Sequence, residues 1–230
     1  MSYKIFFLCN KLKEPERYIS LLKQITDNNI TNYEIVSYYW SDDITTEFKK
    51  EWVKTDTAMI THGRPMTTHP LTNGEISLFM NYLTCLKNIR DSNTHGLFFI
   101  FESDVIFKGD FFKHVNELID IVRNRDDWDI VNIGEGACNQ LARERVEGRF
   151  DIYRERINRC AEGILWSYNG ICKFIETFSL TNDIDGPIDT KMDYFSTDMN
   201  ALNIFWSHPP LVFQGSVKRI FKSHMHHRNF

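Results

Sequence analysis

The chain lacks the features that define several protein classes. Its five cysteines (Cys9, Cys85, Cys138, Cys160 and Cys172) are scattered, and no C-x-x-C pair occurs. An odd, dispersed set argues against a disulfide framework and against a zinc site, and reads as reduced, buried thiols. Positive charge is not in excess: 27 Lys and Arg face 31 Asp and Glu, for a formal net charge of −4. That gives no basic field for a nucleic-acid backbone, so nucleic acid is not an expected partner. No stretch approaches the roughly 18 apolar residues of a membrane span. The run Ile5-Phe6-Phe7-Leu8-Cys9 is too short for a signal-peptide core, so a cytoplasmic protein is expected. Repeats, low-complexity tracts and linkers are missing as well. The 230 residues therefore read as one domain over 1–217, large enough for a real core, followed by a basic, histidine-rich tail over 218–230 that is expected to fray.

Aromatic side chains are plentiful: 18 Phe, 9 Tyr and 5 Trp make 14% of the chain. They fill cores, and they also stack on sugar rings and nucleobases, so a carbohydrate or nucleotide site is permitted. Apolar periodicity predicts strands at Tyr3–Cys9, Tyr33–Trp40, Gly96–Asp104 and Asp129–Ile133. Helices are predicted over Glu14–Asp27, around Ile44–Val53, from Thr72 to about Arg90, and from Asp110 through Val122. Thr72-Asn73-Gly74-Glu75 fits a capping box. Lys54–Pro70 reads as an irregular loop. Strands alternating with helices over about the first 135 residues indicate a parallel, Rossmann-like α/β half. The second half differs. Phe150–Ile157 alternates apolar with charged residues, as an exposed or antiparallel strand does. A strand at Gly163–Tyr168, helices from Gly170 and Pro187, and closing strands around Ile204–Trp206 and Leu211–Phe213 complete a mixed C-terminal extension.

Gly96-Leu97-Phe98-Phe99-Ile100-Phe101 runs directly into Glu102-Ser103-Asp104-Val105. The apolar run reads as a central strand buried on both faces. Side chains alternate along a strand, so Glu102 and Asp104 are expected to converge while Ser103 faces away. In open α/β sheets ligands bind beyond the carboxyl ends of the strands, and paired acids there suit a divalent cation and a phosphorylated ligand. The competing reading is a solvated surface turn.

The ordered series of motifs resembles glycosyltransferase family 25, sugar-nucleotide enzymes of GT-A fold. Leu71-Thr72-Asn73-Gly74-Glu75-Ile76 is similar to that family's helix opening, and Phe101-Glu102-Ser103-Asp104-Val105-Ile106-Phe107 to its metal motif. Trp128–Gly134, Gly163–Ser167, Pro187-Ile188-Asp189 and Pro209–Gln214 follow in order. Two departures stand out. Ser103 replaces the middle acid of the metal motif, and Asn81-Tyr82 replaces a Ser-His pair. The resemblance implies transfer of a hexose, galactose or glucose, from a UDP-sugar to a glycan or hydroxylated acceptor, inverting and dependent on Mn²⁺ or Mg²⁺.

By that resemblance Asp104 is the direct metal ligand, with Glu102 acting through water or the ribose, and His208 is a candidate third ligand or a structural histidine. Asn10 and Arg17 are candidates for the nucleotide, although Arg17 also fits an i, i+3 surface pair with Glu14. Gly74 and Glu75 lie at a helix N-terminus suited to a phosphate, Glu75 being equally explained by its cap. Asp189 is the first choice for the base, against plain helix N-terminal charge. Two other functions remain open. A non-catalytic sugar- or partner-binding module is one. A sugar-phosphate nucleotidyltransferase is the weaker, since Asn10-Lys11-Leu12-Lys13 has no glycines.

Overall fold

The computed structural model describes residues 3–54, 60–61, 64–65, 70–109, 111–136, 150–155 and 160–222. Its strands are β1 (Tyr3–Leu8), β2 (Tyr33–Val36), β3 (Ile60–Thr61), β4 (Arg64–Pro65), β5 (Leu97–Glu102), β6 (Val105–Phe107), β7 (Ile130–Asn132), β8 (Asp151–Glu155), β9 (Gly163–Ser167), β10 (Ile204–His208) and β11 (Val212–Gln214). The helices are α1 (Pro15–Asp27), α2 (Thr46–Trp52), α3 (Asn73–Asp91), α4 (Phe111–Arg123), α5 (Tyr168–Thr181) and α6 (Ile188–Thr197).

Seven strands form one sheet in the order β2-β1-β5-β9-β7-β10-β8. β1 is parallel to β2 and β5, and β10 is parallel to β7. β9 runs antiparallel to both β5 and β7, and β8 antiparallel to β10. The sheet is therefore mostly parallel but mixed, and the molecule is α/β. The parallel half β2-β1-β5 is as expected. The far neighbour of β5 is not: the antiparallel β9 fills that place, burying the apolar run of β5 without a parallel partner on that side.

Period-two alternation builds the layers. Phe6, Leu8, Phe98 and Ile100 enter one core with Phe79, Leu83 and Leu86 of α3 and Phe174 and Phe178 of α5. Ile5, Phe7, Phe99 and Phe101 enter the opposite core with Leu21 and Ile25 of α1 and Val115 and Leu118 of α4. Helices thus cover both faces.

Local chemistry sets the ends that matter. Thr72 and Glu75 close a reciprocal capping box at the start of α3, with Glu75 N donating to Thr72 Oγ1 at 3.2 Å and Thr72 N donating to Glu75 Oε2 at 2.8 Å. β2 stops at Val36, short of the expected Trp40. The N–H groups of Tyr38 and Tyr39 turn instead to Asn81 Oδ1 on α3, at 2.7 and 3.1 Å. β10 joins the main sheet, whereas β11 pairs antiparallel with β6, Gln214 opposite Val105. β8 is an antiparallel edge strand, as its alternation implied.

The segment Lys218–Lys222, expected to fray, folds back against the body of the protein. The rest of that tail, including His224, His226 and His227, lies outside the described residues, as do most of the Lys54–Pro70 loop and the Asp110 cap. Among the described residues no helix is long and apolar enough to cross a membrane.

Candidate active site

A cleft opens beyond the carboxyl ends of β1, β2 and β5. Asn10, Arg17, Gly74, Glu102 and Asp104 all line it, so five of the residues singled out from the sequence converge. Glu75, Asp189 and His208 do not line it.

The floor is the turn that follows β5. β5 ends at Glu102, so strand alternation stops there and does not carry through Asp104. Ser103 consequently does not face away: it lines the same cleft. Its Oγ donates to Glu14 Oε1 at 2.6 Å and accepts from Arg17 Nη1 at 2.8 Å. Arg17 Nη1 also pairs with Glu14 Oε1 at 3.0 Å, and Nη2 donates to the Lys222 carbonyl at 2.8 Å. The i, i+3 pair with Glu14 therefore exists, but it is buried rather than on a helix surface. The guanidinium is thus engaged in holding the turn while also lining the cleft.

Asp104 is 1% exposed. Its Oδ2 accepts from Ser216 N at 3.1 Å, and its Oδ1 is buried with no hydrogen-bond partner among the described residues. A carboxylate oxygen in that state is costly unless a cation or proton meets it. Glu102 Oε2 accepts from Gln214 Nε2 at 3.4 Å. Burial, followed by the neighbouring Asp104, Glu162 and Asp189 carboxylates, holds the Glu102 carboxyl well above its usual range.

Glu162 had no part in the sequence reading. It precedes β9, and because β9 is antiparallel its first end lies beside the last end of β5: Glu102 N donates to the Glu162 carbonyl at 3.2 Å. Glu162 is fully buried, with Oε1 accepting from Gly136 N at 2.7 Å and Oε2 unpartnered. Gly134 makes its space, since a Cβ there would run into the Glu162 carboxylate. Burial pushes Glu162 up to about 7, with Asp104 and Asp189 adding to the effect. The available signal was a lone acid immediately before an apolar strand; its strand direction could not be read.

Asn10 Oδ1 accepts from Leu12 N at 3.1 Å and Lys13 N at 3.2 Å, and its amide N–H groups make no hydrogen bond among the described residues. Gly74 opens the first turn of α3 to the cleft. Glu75 is turned into its cap, accepting from Thr72 N and Oγ1 at 2.8 and 2.9 Å. Asn81 fixes the wall: besides the Tyr38 and Tyr39 N–H groups, it bonds the Tyr39 and Ser77 carbonyls, both at 2.8 Å. Tyr39 and Trp40 on that wall give the cleft an aromatic side. Tyr82 is buried and donates to the Ala161 carbonyl. Both residues at the place of the Ser-His pair are thus structural.

Asp189 sits in the first turn of α6, accepting from Thr190 N at 2.9 Å. Burial raises its carboxyl, with Glu75 contributing. His208 ends β10, three strands from β5 in the sheet, opposite Asp151. At about 4.8 Å per strand it stands on the order of 14 Å away laterally, so it is not brought to Asp104. Among the described residues no three His, Cys, Asp or Glu side chains converge as a metal-ligand set. The carboxylates of Glu102 at the end of β5 and Asp104 on the turn after it, one oxygen of Asp104 being buried without a partner among the described residues, are the groups that could hold a hard cation. Neither a scan against protein-family models nor a search of curated proteins found a match for this chain.

Proposed function

We propose that the chain is a GT-A glycosyltransferase of the family 25 kind, moving a hexose, galactose or glucose, from a UDP-sugar to a glycan or hydroxylated acceptor. The observation that carries this reading is Asp104 Oδ1, a buried carboxylate oxygen with no partner among the described residues, in a turn that floors the cleft. The lining acids are Glu14, Glu102 and Asp104, against Arg17 as the base among them. Arg17 balances Glu14, so Glu102 and Asp104 are left with surplus negative charge, which suits Mn²⁺ or Mg²⁺.

In this reading the cation, when bound, neutralises the diphosphate leaving group as a Lewis acid. Asp104 holds it, and Glu102 holds its water or the ribose. Asn10 and the aromatic wall of Tyr39 and Trp40 take the nucleoside, and the open first turn at Gly74 faces the phosphates. Asp189 is the proposed base for the acceptor hydroxyl, which the transfer needs as the anomeric carbon opens. His208 has no role.

The test is donor hydrolysis across a panel of UDP- and GDP-sugars, with Mn²⁺ or EDTA, for the wild type and Asp104→Ala. Slow release of UDP from one donor is expected with Mn²⁺, reduced roughly 10²–10³-fold in the variant. No turnover, with nucleotide binding indifferent to metal and to the mutation, would remove the metal reading and favour a sugar- or partner-binding module.

A further inference from the structure

The end of the described chain is wrapped around the turn that carries Ser103 and Asp104. After β11, Gly215 N donates to the Asp104 carbonyl at 2.8 Å, and Ser216 N donates to Asp104 Oδ2 at 3.1 Å. The chain then closes on itself, with Ile220 N donating to the Gly215 carbonyl at 2.8 Å and Arg219 N to the Ser216 carbonyl at 3.1 Å. Arg219 takes a positive φ of 61° to make that reversal. The Phe221 ring comes to rest over Gly215, where a Cβ would stand 2.6 Å from the ring and 2.9 Å from the Asp104 carbonyl. Only glycine admits both. One residue further, the Lys222 carbonyl accepts from Arg17 Nη2, whose partner nitrogen holds Ser103 Oγ.

We propose that residues 215–222 form a clasp that positions Asp104 for the cation. This rests on the metal-dependent reading above. A carboxylate offers two oxygens, and the Ser216 amide engages one of them. The other, Oδ1, is the free, buried oxygen. The clasp thereby selects which oxygen is presented and fixes its direction. Phe221 is the keystone, because it pins Gly215 from outside while Gly215 and Ser216 grip Asp104 from inside. Arg17 ties the far end of the clasp to the same turn through Ser103. Phe221, Ser216 and Arg17 are positioning residues, since they act through Asp104. The terminal segment is thereby part of the site and not an appendage.

The test compares wild type, Phe221→Ala, Phe221→Leu and Leu180→Ser, the last on the exposed surface of α5 and outside the clasp. Mn²⁺ affinity is measured by electron paramagnetic resonance with saturating UDP. UDP affinity in EDTA and the thermal midpoint are measured on the same samples. Phe221→Ala is expected to weaken Mn²⁺ binding about tenfold, with UDP affinity in EDTA changed less than about twofold. Phe221→Leu should recover most of the loss, and Leu180→Ser should match the wild type. Unchanged Mn²⁺ affinity in Phe221→Ala overturns the clasp while leaving the metal reading intact. An equal loss of UDP binding in EDTA also overturns it, since that would be general damage to the cleft. No Mn²⁺ binding by the wild type overturns the underlying reading, and the clasp with it.

Discussion

At position 103 a hydroxyl stands between two charged side chains, where the resembled motif has a carboxylate, and those neighbours supply the reason. Glu14 and Arg17 are both buried and already balance one another. A third charge between them would leave two acids sharing one guanidinium away from water, a costly arrangement. A serine can donate to one and accept from the other, and it does both. Glu162 is the opposite case, an acid that lacks such balance. Its ordinary value of 4.5 is raised to about 7 by burial, with Asp104 and Asp189 facing it. Between these limits the folded protein holds a proton that the unfolded chain releases. The stability linked to this site is therefore full below about pH 4.5, falls as pH rises, and is lost above about pH 7. Glu162→Gln should raise stability relative to wild type at pH 8, by on the order of 3 kcal/mol at most, with the gain shrinking towards pH 5. Urea unfolding in EDTA at the two pH values measures this, and a gain equal at both would contradict it. The sequence made Glu102 and Asp104 visible because acids ending an apolar run are unusual. It could not reveal Glu162, whose place depends on the direction of β9, or that Arg17 is already engaged, since a buried pair and a surface pair share the same spacing.

On the scale of elements, the cleft wall depends on one side chain of α3. Asn81 satisfies two N–H groups and a carbonyl of the segment after β2, and also the Ser77 carbonyl of its own helix. Asn81→Ala would leave these groups to water or unpaired, a cost of about 2–4 kcal/mol. We expect that loss in urea unfolding, together with faster proteolytic cleavage between Ser37 and Trp40. Cleavage at the wild-type rate would mean that the wall is held elsewhere. The helix starts were legible because capping boxes and proline rules are local: α3 opens at its Thr72 cap and α1 at Pro15. The end of β2 was not. Aromatic residues continue past Val36 at Tyr38, Tyr39 and Trp40, but the backbone partner of Tyr38 and Tyr39 lies on α3, and propensity carries no record of that.

For the whole molecule, the two cores on either side of the sheet protect different thiols. Cys9 and Cys85 are buried on opposite faces, and burial pushes each up to about 12. At pH 8 roughly one molecule in 10⁴ would carry either as thiolate. Both are expected to react with a thiol reagent only at the rate of unfolding, whereas Cys160 and Cys172 are partly exposed and are expected to react earlier. Modification of Cys9 or Cys85 in the native protein, followed by peptide mapping, would contradict the protection. The α/β class could be read from the alternation of elements; the strand order could not, because β9 enters from late in the chain. That insertion has a consequence for synthesis on the ribosome. The β2-β1-β5 half emerges roughly sixty residues before β9, which at cellular elongation rates is a delay of about 3–12 seconds. Through that interval the most apolar strand of the protein has an unpaired edge, open to neighbouring nascent chains. A ribosome stalled before Gly163 would therefore hold an aggregation-prone half-sheet, so the pace of translation between Glu102 and Gly163 bears on the yield of folded protein.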